Sequence, residues 1–495
     1  MTTMNLDQVL IGCAEVPAGV EVTGLSVDTR TLKKGNVFFA IEGSAFDGKA
    51  FAVEAQKGGA SAVVCQSELN QNLSVPVIQV ENVREVYAKA SAAFFNHPSK
   101  DLFVCGVTGT NGKTTITYFL EALWGKEQSG VFGTVNYRCK EFELAASHTT
   151  PDAFRLQGLL ADMLKHGVKN IAMETSSHAL EQCRVHAIDF DAAIFTNLSQ
   201  DHLDYHKDLD DYYEAKRLLF ARELLLSKKQ NKVAVINADD EYGQKLIQDL
   251  KNTNISCLSY STKQKTADLA VENVVINLQG VKADLLYQGQ KASIQLSLIG
   301  EHNLANALAA LGVYLKSGGT LERAAKILSQ VSVPGRLEKI ADQAIFVDYA
   351  HTPDALENVL SALRITMGEQ IEPGRLITVF GCGGDRDRTK RPLMGRVVAK
   401  LSDVALVTSD NPRTEDPEQI LKDIEPGVSQ HMDSYDGFRG YQIEPDRAKA
   451  IRLAIELKKP EDVVLIAGKG HEDYQILGTE KIHFDDREVA REALL

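Results

Sequence analysis

The chain has 495 residues, a length that predicts two to four domains and excludes a single hydrophobic core. Hydrophobic residues make up 44% of it and charged residues 24%, the composition of a soluble globular protein. The formal net charge of −13 argues against a general nucleic-acid-binding role, because such proteins present basic surfaces. Any anionic substrate must therefore be bound by a local cluster of cations.

The cysteines are dispersed along the chain, odd in number, and never spaced as C-x-x-C. This pattern is typical of free thiols in a reducing compartment. No apolar run reaches the length of a membrane span. We therefore expect a cytoplasmic protein that neither inserts into a membrane nor binds nucleic acid.

The first 98 residues predict a small α/β domain. Short apolar runs at 37–41 and 62–65 predict strands, and the apolar spacing over 87–95 predicts a helix. Residues 26–30, Ser-Val-Asp-Thr-Arg, place a hydroxyl, an acid and a guanidinium in one short stretch. That stretch and the glycine-bounded loop at 43–48 are either solvated turns or contacts with a phosphorylated ligand, and solvated turns are the simpler interpretation.

A glycine-rich loop at residues 106–115, G-V-T-G-T-N-G-K-T-T, follows the apolar run at 102–107. A strand, then glycines, then Lys-Thr opening a helix presents backbone N–H groups and a helix N-terminus to phosphate. We interpret it as an ATP site in which Lys113 neutralises the outer phosphates and the hydroxyl of Thr114 or Thr115 binds Mg²⁺. The glycine spacing departs from the strict Walker pattern, so the loop is a variant. The alternative is a glycine-rich turn without a ligand.

From residue 99 to about 336 the pattern of strand, loop and helix repeats, as in a doubly wound parallel sheet. The apolar run at 170–173 ends at Glu174, which places an acid at the strand's carboxyl end, where such sheets bind ligands. Glu174 is therefore a candidate Mg²⁺ ligand. Residues 201–206, Asp-His-Leu-Asp-Tyr-His, follow another apolar run and are either a polar loop or a metal or phosphate contact.

A helix predicted over 209–224 carries Lys216 on its apolar face. Lysine is almost never fully buried without a partner, and a desolvated amine loses its proton readily. Lys216 therefore either extends its amine out to solvent or has a chemical task. Without further information the first alternative is the simpler one.

Short alternating runs over 265–300 predict a β-meander at the edge of the sheet. The helix that follows carries Asn303 and Asn306 three residues apart, hence on one face, where they either bind a base or cap the helix.

A second α/β unit is predicted from residue 337 onward. Each of its predicted strands is followed by a polar cluster, and the strands are 345–347, 376–380, 404–407 and 463–466. Because parallel strands end at one edge, these clusters predict a second site. No GxGxxG follows any of the strands, so a dinucleotide-binding role is not favoured.

These motifs resemble those of the Mur ligase family along essentially the whole chain. The resemblance rests on the phosphate loop at 106–115, the Glu-Thr-Ser-Ser-His segment at 174–178 and the Asp-His-Leu-Asp-Tyr-His segment at 201–206. It implies three domains: a UDP-sugar-binding α/β domain at 1–98, a central ATP-binding domain at 99–336 and a C-terminal Rossmann-like amino-acid-binding domain at 337–495. The implied protein is a monomeric, ADP-forming ligase that extends the peptidoglycan precursor UDP-N-acetylmuramoyl-L-alanyl-D-glutamate.

The same resemblance implies roles for individual residues. ATP would be held by Gly109, Thr110, Asn111, Gly112, Lys113, Thr114, Thr115, Asn303, Asp348 and His351, and the catalytic set would be Lys113, Lys216, His202 and Arg336. Mg²⁺ would be bound by Thr114, Glu174, His202 and Lys216, with Lys216 as a carbamate. The UDP-sugar dipeptide would contact Thr29, Arg30, Thr149, Thr150, Ser177, Gln182 and Arg184, and the incoming amino acid would contact Arg386, Asp410, Asn411, Pro412, Arg413, Gly468 and Glu472.

The incoming amino acid in this family is usually meso-diaminopimelate or L-lysine, which differ by a distal carboxylate. The Asp-Asn-Pro-Arg sequence at 410–413 resembles the pattern of the diaminopimelate enzymes, and the guanidinium of Arg413 suits a carboxylate. A proline turn with a solvated arginine is the alternative. Other candidates are a folylpolyglutamate-synthase-type ligase, a phosphotransferase or ATP-driven switch, and an inert binding protein on the same fold.

Overall fold

The computed structural model describes residues 3–43, 47–69, 71–201, 205–341, 343–368 and 374–495, and over these residues the chain folds into three α/β units in chain order. Each unit is built on a mostly parallel sheet. The predicted α/β class, with a large, mostly parallel central sheet, is confirmed. The domain boundaries after residues 98 and 336 stay predictions.

The first unit is a small parallel sheet covered by helices. Its elements are β1 (Met4–Asn5), α1 (Leu6–Val9), β2 (Glu21–Val22), β3 (Gly24–Ser26), β4 (Asn36–Phe39), α2 (Ala52–Lys57), β5 (Ala62–Cys65), β6 (Val77–Gln79) and α3 (Val83–Phe94). Strands β3 to β6 are parallel in sequence order, and β1 pairs with β2. The predicted strands appear as β4 and β5, and the predicted helix begins four residues earlier than expected, at Val83 after the capping Asn82.

The second unit contains the phosphate loop. Its strands are β7 (Phe103–Thr108), β8 (Ser129–Phe132), β9 (Asn136–Cys139), β10 (Phe142–Ala145), β11 (Asn170–Glu174), β12 (Ala192–Phe195), β13 (Val233–Asn237), β14 (Ser256–Tyr260), β15 (Leu269–Asn277), β16 (Gly280–Tyr287) and β17 (Gln290–Leu296). Its helices are α4 (Lys113–Trp124), α5 (Ala153–Lys165), α6 (Ser177–Glu181), α7 (Leu209–Leu218), α8 (Glu241–Leu250), α9 (Glu301–Lys316) and α10 (Leu321–Leu328).

The central sheet has the order β10-β9-β8-β11-β7-β12-β13-β14-β15-β16-β17. In the order along the sheet, strands β8, β11, β7, β12, β13, β14 and β15 run parallel. Strands β9 and β10 at one edge pair antiparallel. Strands β16 and β17 at the other edge also pair antiparallel and form the predicted β-meander. Alternating residues of β7 enter cores on opposite faces, one built with α4 and α9 and the other with α5 and α8. Phosphate-loop strand β7 is therefore held at the centre of the sheet.

The helix predicted over 209–224 is not one regular α-helix. It is α-helical as α7 and continues as a π-helical segment, Leu219–Leu224. The wider π turn moves the apolar stripe around the axis, so that Leu219, Phe220 and Leu224 stay buried. The helical prediction is confirmed, and the change of hydrogen-bonding period was not foreseen.

The third unit repeats the parallel plan. Its elements are β18 (Glu338–Lys339), β19 (Ile345–Asp348), α11 (Pro353–Gly368), β20 (Leu376–Phe380), α12 (Lys390–Leu401), β21 (Val404–Val407), α13 (Pro417–Ser429), β22 (Gly440–Ile443), α14 (Arg447–Leu457), β23 (Val463–Ala467), β24 (Tyr474–Leu477), β25 (Glu480–His483) and α15 (Asp486–Glu492). The sheet order is β18-β19-β23-β20-β21-β22, with only β18 antiparallel among these strands. All predicted strands are present.

A fully buried ion pair supports the carboxyl edge of this third sheet. Arg447 donates to both carboxylate oxygens of Asp486, at 2.8 and 2.7 Å, and both side chains are 0% exposed. The same guanidinium donates to the carbonyl of Ala467 at the end of β23. Helices α14 and α15 are thereby tied to the strand end that leads into residues 468–472. No helix in the described ranges combines the length and apolar character needed to cross a membrane.

Candidate functional site

The phosphate loop lies between the end of β7 and the start of α4, as predicted. Gly112 precedes the helix with φ of 90°, a conformation that favours glycine, and a Cβ there would overlap the side chain of Asn306. Gly109 has φ of 142°, and a Cβ there would overlap the hydroxyl of Thr196. Both glycines are needed for the loop to pack this closely against its neighbours.

Lys113 curls over its own loop. Its Nζ donates to the carbonyls of Gly109 and Thr110, both at 2.8 Å. Burial lowers the pKa of Lys113. The carboxylates of Glu174 and Asp201 oppose that shift, and Arg336 adds to it. The amine therefore lies within electrostatic reach of groups from three separate segments of the chain. An incoming phosphate would compete with the loop carbonyls for this amine.

Glu174 ends β11 beside the loop, buried to 1% exposure. Its Oε1 accepts from the hydroxyl of Thr114 at 2.9 Å and from the backbone N–H of Thr134 at 3.0 Å, and its Oε2 accepts from the Thr134 hydroxyl at 3.0 Å. A hydroxyl and a carboxylate are the oxygen donors that Mg²⁺ prefers. Thr114, rather than Thr115, is thus the phosphate-loop hydroxyl that faces the acid.

Two predicted metal ligands remain, His202 and Lys216. His202 lies outside the described residues, as do residues 44–46 of the glycine-bounded loop. Among the residues that are described, no group of three His, Cys, Asp or Glu side chains is arranged to hold a metal. Thr114 and Glu174 fit a Mg²⁺ site by their chemistry, and they need further oxygen ligands to complete it.

Lys216 is buried to 1% exposure, so its amine does not reach solvent. Its Nζ donates to the Gly109 carbonyl at 2.9 Å and lies 4.2 Å from the centre of the Tyr212 ring. Burial holds the pKa of Lys216 well below its usual value, the nearby Lys113 lowers it further, and Asp201 opposes the shift. The position on the apolar face is confirmed, and the simpler interpretation, in which the amine extends out to solvent, is wrong. Burial disfavours the charged form of this amine.

Five residues predicted to hold the UDP-sugar dipeptide surround the end of β11. Thr150 donates to the Glu174 carbonyl at 2.8 Å, and Arg184 donates to the Thr150 carbonyl at 2.8 Å. The other contacts join Gln182 to Arg184 at 2.7 Å, Ser177 to His206 at 2.9 Å, and Thr149 to Thr134 at 3.2 Å. The structure therefore brings these five residues together with Glu174.

Thr29 and Arg30 lie in the first unit, after β3. The Thr29 hydroxyl donates to Glu54 at 3.0 Å, and Arg30 pairs with Asp28 at 2.6 Å. The Arg30 side chain is 85% exposed. These contacts are those of a solvated turn, and the role of this stretch in binding UDP stays a prediction.

Residues from the second and third units meet beside the phosphate loop. Asp354 at the start of α11 accepts from Asn111 at 2.6 Å and from the Ser199 hydroxyl at 2.9 Å. Arg336 lies over the ring of Tyr349, 4.9 Å from its centre. Burial raises the pKa of Asp348, and Arg336 opposes that shift. The phosphate loop is thus in direct contact with the third unit.

Other predicted nucleotide contacts are paired within the protein. The Asn303 side chain is buried and donates to the Ile299 carbonyl at 2.8 Å, while Asn306 lies 3.4 Å from the Asn303 oxygen. Nδ1 of His351 lies 2.8 Å from the Tyr349 carbonyl. Asn306 lines the side of the loop at Gly112. Helix α9 is capped at Gly300 without a side-chain hydrogen bond, so the capping role is wrong, and base binding stays a prediction.

The strand ends of the third unit form a second polar cluster. Glu472 accepts from Asn411 at 2.9 Å and from the fully buried Lys469 at 3.1 Å. Gly468 has φ of 118°, and a Cβ there would lie 2.6 Å from a carboxylate oxygen of Asp410. The predicted Asp410, Asn411, Gly468 and Glu472 therefore come together.

Two arginines flank Gly383 at the edge of this cluster. A Cβ on Gly383 would lie 2.9 Å from Nη1 of Arg413 and 3.8 Å from Cγ of Arg386. Arg413 is half-buried, has φ of 52°, and donates to the Gly384 carbonyl at 2.7 Å, while Arg386 is exposed. Arg413 follows Pro412 in a turn, but its guanidinium is anchored rather than free in solvent.

Sequence patterns did not single out Thr134, Asp354 or Lys469, although each contacts predicted site residues. Asp354 carried a usable signal, since it directly follows Pro353 at a helix start, next to a polar strand end. Thr134 lies between two short strands and carried none. Lys469 was part of a predicted cluster, but its full burial was not foreseen.

The fold and the strand-end site define a phosphate-loop ligase, and the chain belongs to the Mur ligase family. Family models match residues 21–95 (Mur ligase family, catalytic domain), 107–314 (Mur ligase middle domain) and 335–470 (Mur ligase, glutamate ligase domain). The resemblance based on the motifs is thereby confirmed.

Similar proteins carry a more specific name. Relatives from Synechocystis sp. and Geobacter sulfurreducens, each named UDP-N-acetylmuramoyl-L-alanyl-D-glutamate–2,6-diaminopimelate ligase, are 46% and 42% identical over 491 and 489 residues. The alignments cover 96% and 95% of this chain and 93% and 94% of the relatives. A solved structure of a ligase of that name matches with a TM-score of 0.71 and 34% identity, covering 100% of this chain and 99% of that one.

A folylpolyglutamate synthase from Mycobacterium tuberculosis, solved with ADP, shares the fold at a TM-score of 0.62 and 19% identity. It covers 78% of this chain and 91% of its own length.

Gly112→Ala should abolish nucleotide binding, because the new Cβ would displace Asn306 and distort the loop. The left-handed backbone conformation alone should cost about 1–2 kcal/mol of stability. Gly125→Ala, at the other end of α4, is the matched control: its φ is 87°, and nothing lies within 4 Å of its added Cβ. Calorimetric titration with ADP should show binding to Gly125→Ala and none to Gly112→Ala, and equal ADP affinity of the two variants would contradict the steric argument.

Proposed function

We propose that this protein is an ATP-dependent ligase that joins meso-diaminopimelate to UDP-N-acetylmuramoyl-L-alanyl-D-glutamate, with release of ADP and phosphate. The observation that supports this most directly is that two strand-end clusters lie on units that touch each other beside the phosphate loop. One presents Lys113, Thr114 and Glu174 for nucleotide, and the other presents Asp410, Arg413 and Glu472 for an amino acid. The names of the similar ligases supply the two substrates.

In the first step the D-glutamyl γ-carboxylate attacks the γ-phosphate of ATP, which breaks the bond to ADP and leaves an acyl phosphate. The Lys113 amine balances negative charge on the transferred phosphoryl group. Arg336, at the connection to the third unit, supplies a second positive charge for the same purpose. Thr114 and Glu174 are the residues that would hold Mg²⁺, which neutralises phosphate charge when bound. The protein mainly positions the reactants and stabilises charge.

In the second step the amine of diaminopimelate attacks the acyl carbon, the amide bond forms and inorganic phosphate leaves. The acyl phosphate must be kept from water, because hydrolysis would waste the ATP. The contact of Asp354 with Asn111 and Ser199 brings the third unit against the phosphate loop, and with it the amino-acid cluster. This arrangement shields the intermediate and delivers the amine.

Diaminopimelate is proposed over L-lysine because of Arg413 and its neighbour Arg386. The absence of a side chain at Gly383 lets Nη1 of Arg413 approach the backbone there, with Cγ of Arg386 also close by. A distal carboxylate placed there would face a guanidinium that the Gly384 carbonyl already orients. Lysine has no such carboxylate and would leave the arginine without an anionic ligand. We further propose a cytoplasmic, monomeric enzyme of peptidoglycan precursor synthesis, with domains 1–98, 99–336 and 337–495.

The activity is tested by phosphate release from Mg²⁺-ATP. We expect release only when the UDP-dipeptide and diaminopimelate are both present, because the acyl phosphate is consumed by the amine. Release with neither substrate would instead indicate an ATPase or ATP-driven switch. Activity with a folate substrate would indicate the folylpolyglutamate reaction.

Lys216→Ala should abolish ligation, lowering kcat by at least about 100-fold, while the thermal unfolding midpoint changes little. A neutral, buried amine adds CO₂ to give a carbamate, an anion that could bind Mg²⁺ beside Glu174. Lys245→Ala is the control, since Lys245 likewise lies over a tyrosine ring, 4.5 Å from that of Tyr213. Near-normal activity of Lys216→Ala, with an unmodified amine by mass spectrometry in bicarbonate, would refute the carbamate.

Arg413→Ala should cost about 2–5 kcal/mol in kcat/KM for diaminopimelate, because the distal carboxylate loses its charged partner. The preference over lysine should shrink accordingly. Arg388→Ala is the control, because Arg388 lies in the loop that carries Gly383 and Arg386 but pairs with Asp423 at 2.9 Å. Steady-state kinetics with both amino acids measure the effect. Comparable kcat/KM for the two amino acids in the unaltered enzyme would refute the specificity and leave the ligase activity intact.

A further inference from the structure

His471 contains a buried polar atom that the roles described so far leave unused. Its Nδ1 is inaccessible to solvent and has no hydrogen-bond partner in the described part of the chain. Neighbouring polar groups are paired: Lys469 contacts Asn411 and Glu472, and Arg487 donates to the His471 carbonyl at 3.3 Å. An unpaired buried polar atom costs about 1–3 kcal/mol, so such an atom at a site edge indicates a ligand that completes it.

His471 lies where the nucleotide residues meet the amino-acid cluster. Its ring packs on Tyr349 with centres 4.9 Å apart and planes inclined by 33°. The guanidinium of Arg336 lies over the same Tyr349 ring, also 4.9 Å from its centre. The backbone before Arg336 packs closely, since a Cβ on Gly335 would lie 2.7 Å from Cα of Gly470. Tyr349 thus holds both the arginine and the imidazole.

The charges around His471 define the kind of ligand. Burial lowers the pKa of His471 to about 3, and Arg336, Arg487, His351 and Lys469 all act in the same direction. The imidazole is therefore neutral at physiological pH and has one N–H to donate. Lys469 and Arg487 are paired with Glu472 and Asp485. An ammonium group placed here would be repelled by the guanidinium of Arg336, whereas an anionic oxygen would be attracted by it. The ligand that fits is an anion that Arg336 also contacts.

We propose that His471 is a phosphate-binding residue, whose Nδ1–H donates to an oxygen of the terminal phosphoryl group of ATP beside Arg336. This assignment rests on the proposed ligase function. The bond would order the phosphoryl group as it passes from ATP to the substrate carboxylate. Because residues 468 and 472 of the same loop belong to the amino-acid cluster, one short segment would contact both the phosphate that leaves and the amine that enters.

Three substitutions at His471 in the full-length protein separate the two ring nitrogens. His471→Asn keeps an N–H near the position of Nδ1, His471→Gln places one near Nε2, and His471→Leu removes both. We expect kcat/KM for ATP to fall about 10- to 100-fold in the Gln and Leu variants and to stay within about threefold in the Asn variant. The KM for diaminopimelate should change less than about twofold in all three.

Calorimetric titration provides a readout that does not need turnover. His471→Leu should bind a non-hydrolysable ATP analogue about tenfold more weakly than the unaltered protein, while ADP affinity stays the same. Equal losses in the Asn and Gln variants, or unchanged binding of the analogue, would overturn the proposal. A raised KM for diaminopimelate with normal ATP kinetics would indicate that Nδ1 of His471 binds the amino-acid carboxylate instead. That result would also overturn the proposal. Absence of ligation by the unaltered enzyme would refute the ligase function and leave the titration as an independent test of His471.

Discussion

The carbonyl oxygen of Gly109 accepts hydrogen bonds from two lysine amines, Nζ of Lys113 and Nζ of Lys216. Two ammonium groups this close together, away from water, would repel each other strongly. Each lies in a desolvated environment that already disfavours its charge, and the pKa of both is lowered. The pKa of Lys216 is the more strongly lowered of the two, because burial and the nearby Lys113 act in the same direction. The reactivity assigned to Lys216 and the affinity of Lys113 for phosphate both depend on this shared acceptor.

This local arrangement explains how a protein with a net charge of −13 can bind highly anionic substrates. The cations that matter are gathered where strands of the second and third units end, and Glu174, Asp348 and Asp410 are buried acids among them. The low-dielectric walls of the site strengthen the field of these groups, while the acidic surface elsewhere is screened by salt. Overall charge is therefore a poor guide to this site.

The sequence predicted much of this site because strand ends are local features. An apolar run followed at once by polar residues identifies both the strand and the edge where it ends, which is how Glu174 and the 410–413 cluster were found. Helical spacing placed Lys216 on the apolar face, but it did not predict that the amine itself is buried. The contacts that sequence reasoning missed are non-local: Asn111 and Asp354 are 243 positions apart, and Thr134 and Glu174 are 40 apart. The π-helical segment after α7 was missed because its pattern of apolar residues differs little from that of an α-helix.

The buried pair of Arg447 and Asp486 has a consequence for how the protein is made. Chains emerge from the ribosome N-terminal end first, and domains generally fold as units during synthesis. Asp486 follows Arg447 by 39 positions, so the guanidinium that holds the end of β23 is synthesised well before the acid that neutralises it. Until α15 emerges, Arg447 cannot be buried with its partner. The strand end that supports the amino-acid cluster is therefore completed late in translation. By then the whole unit that carries the phosphate loop has been synthesised.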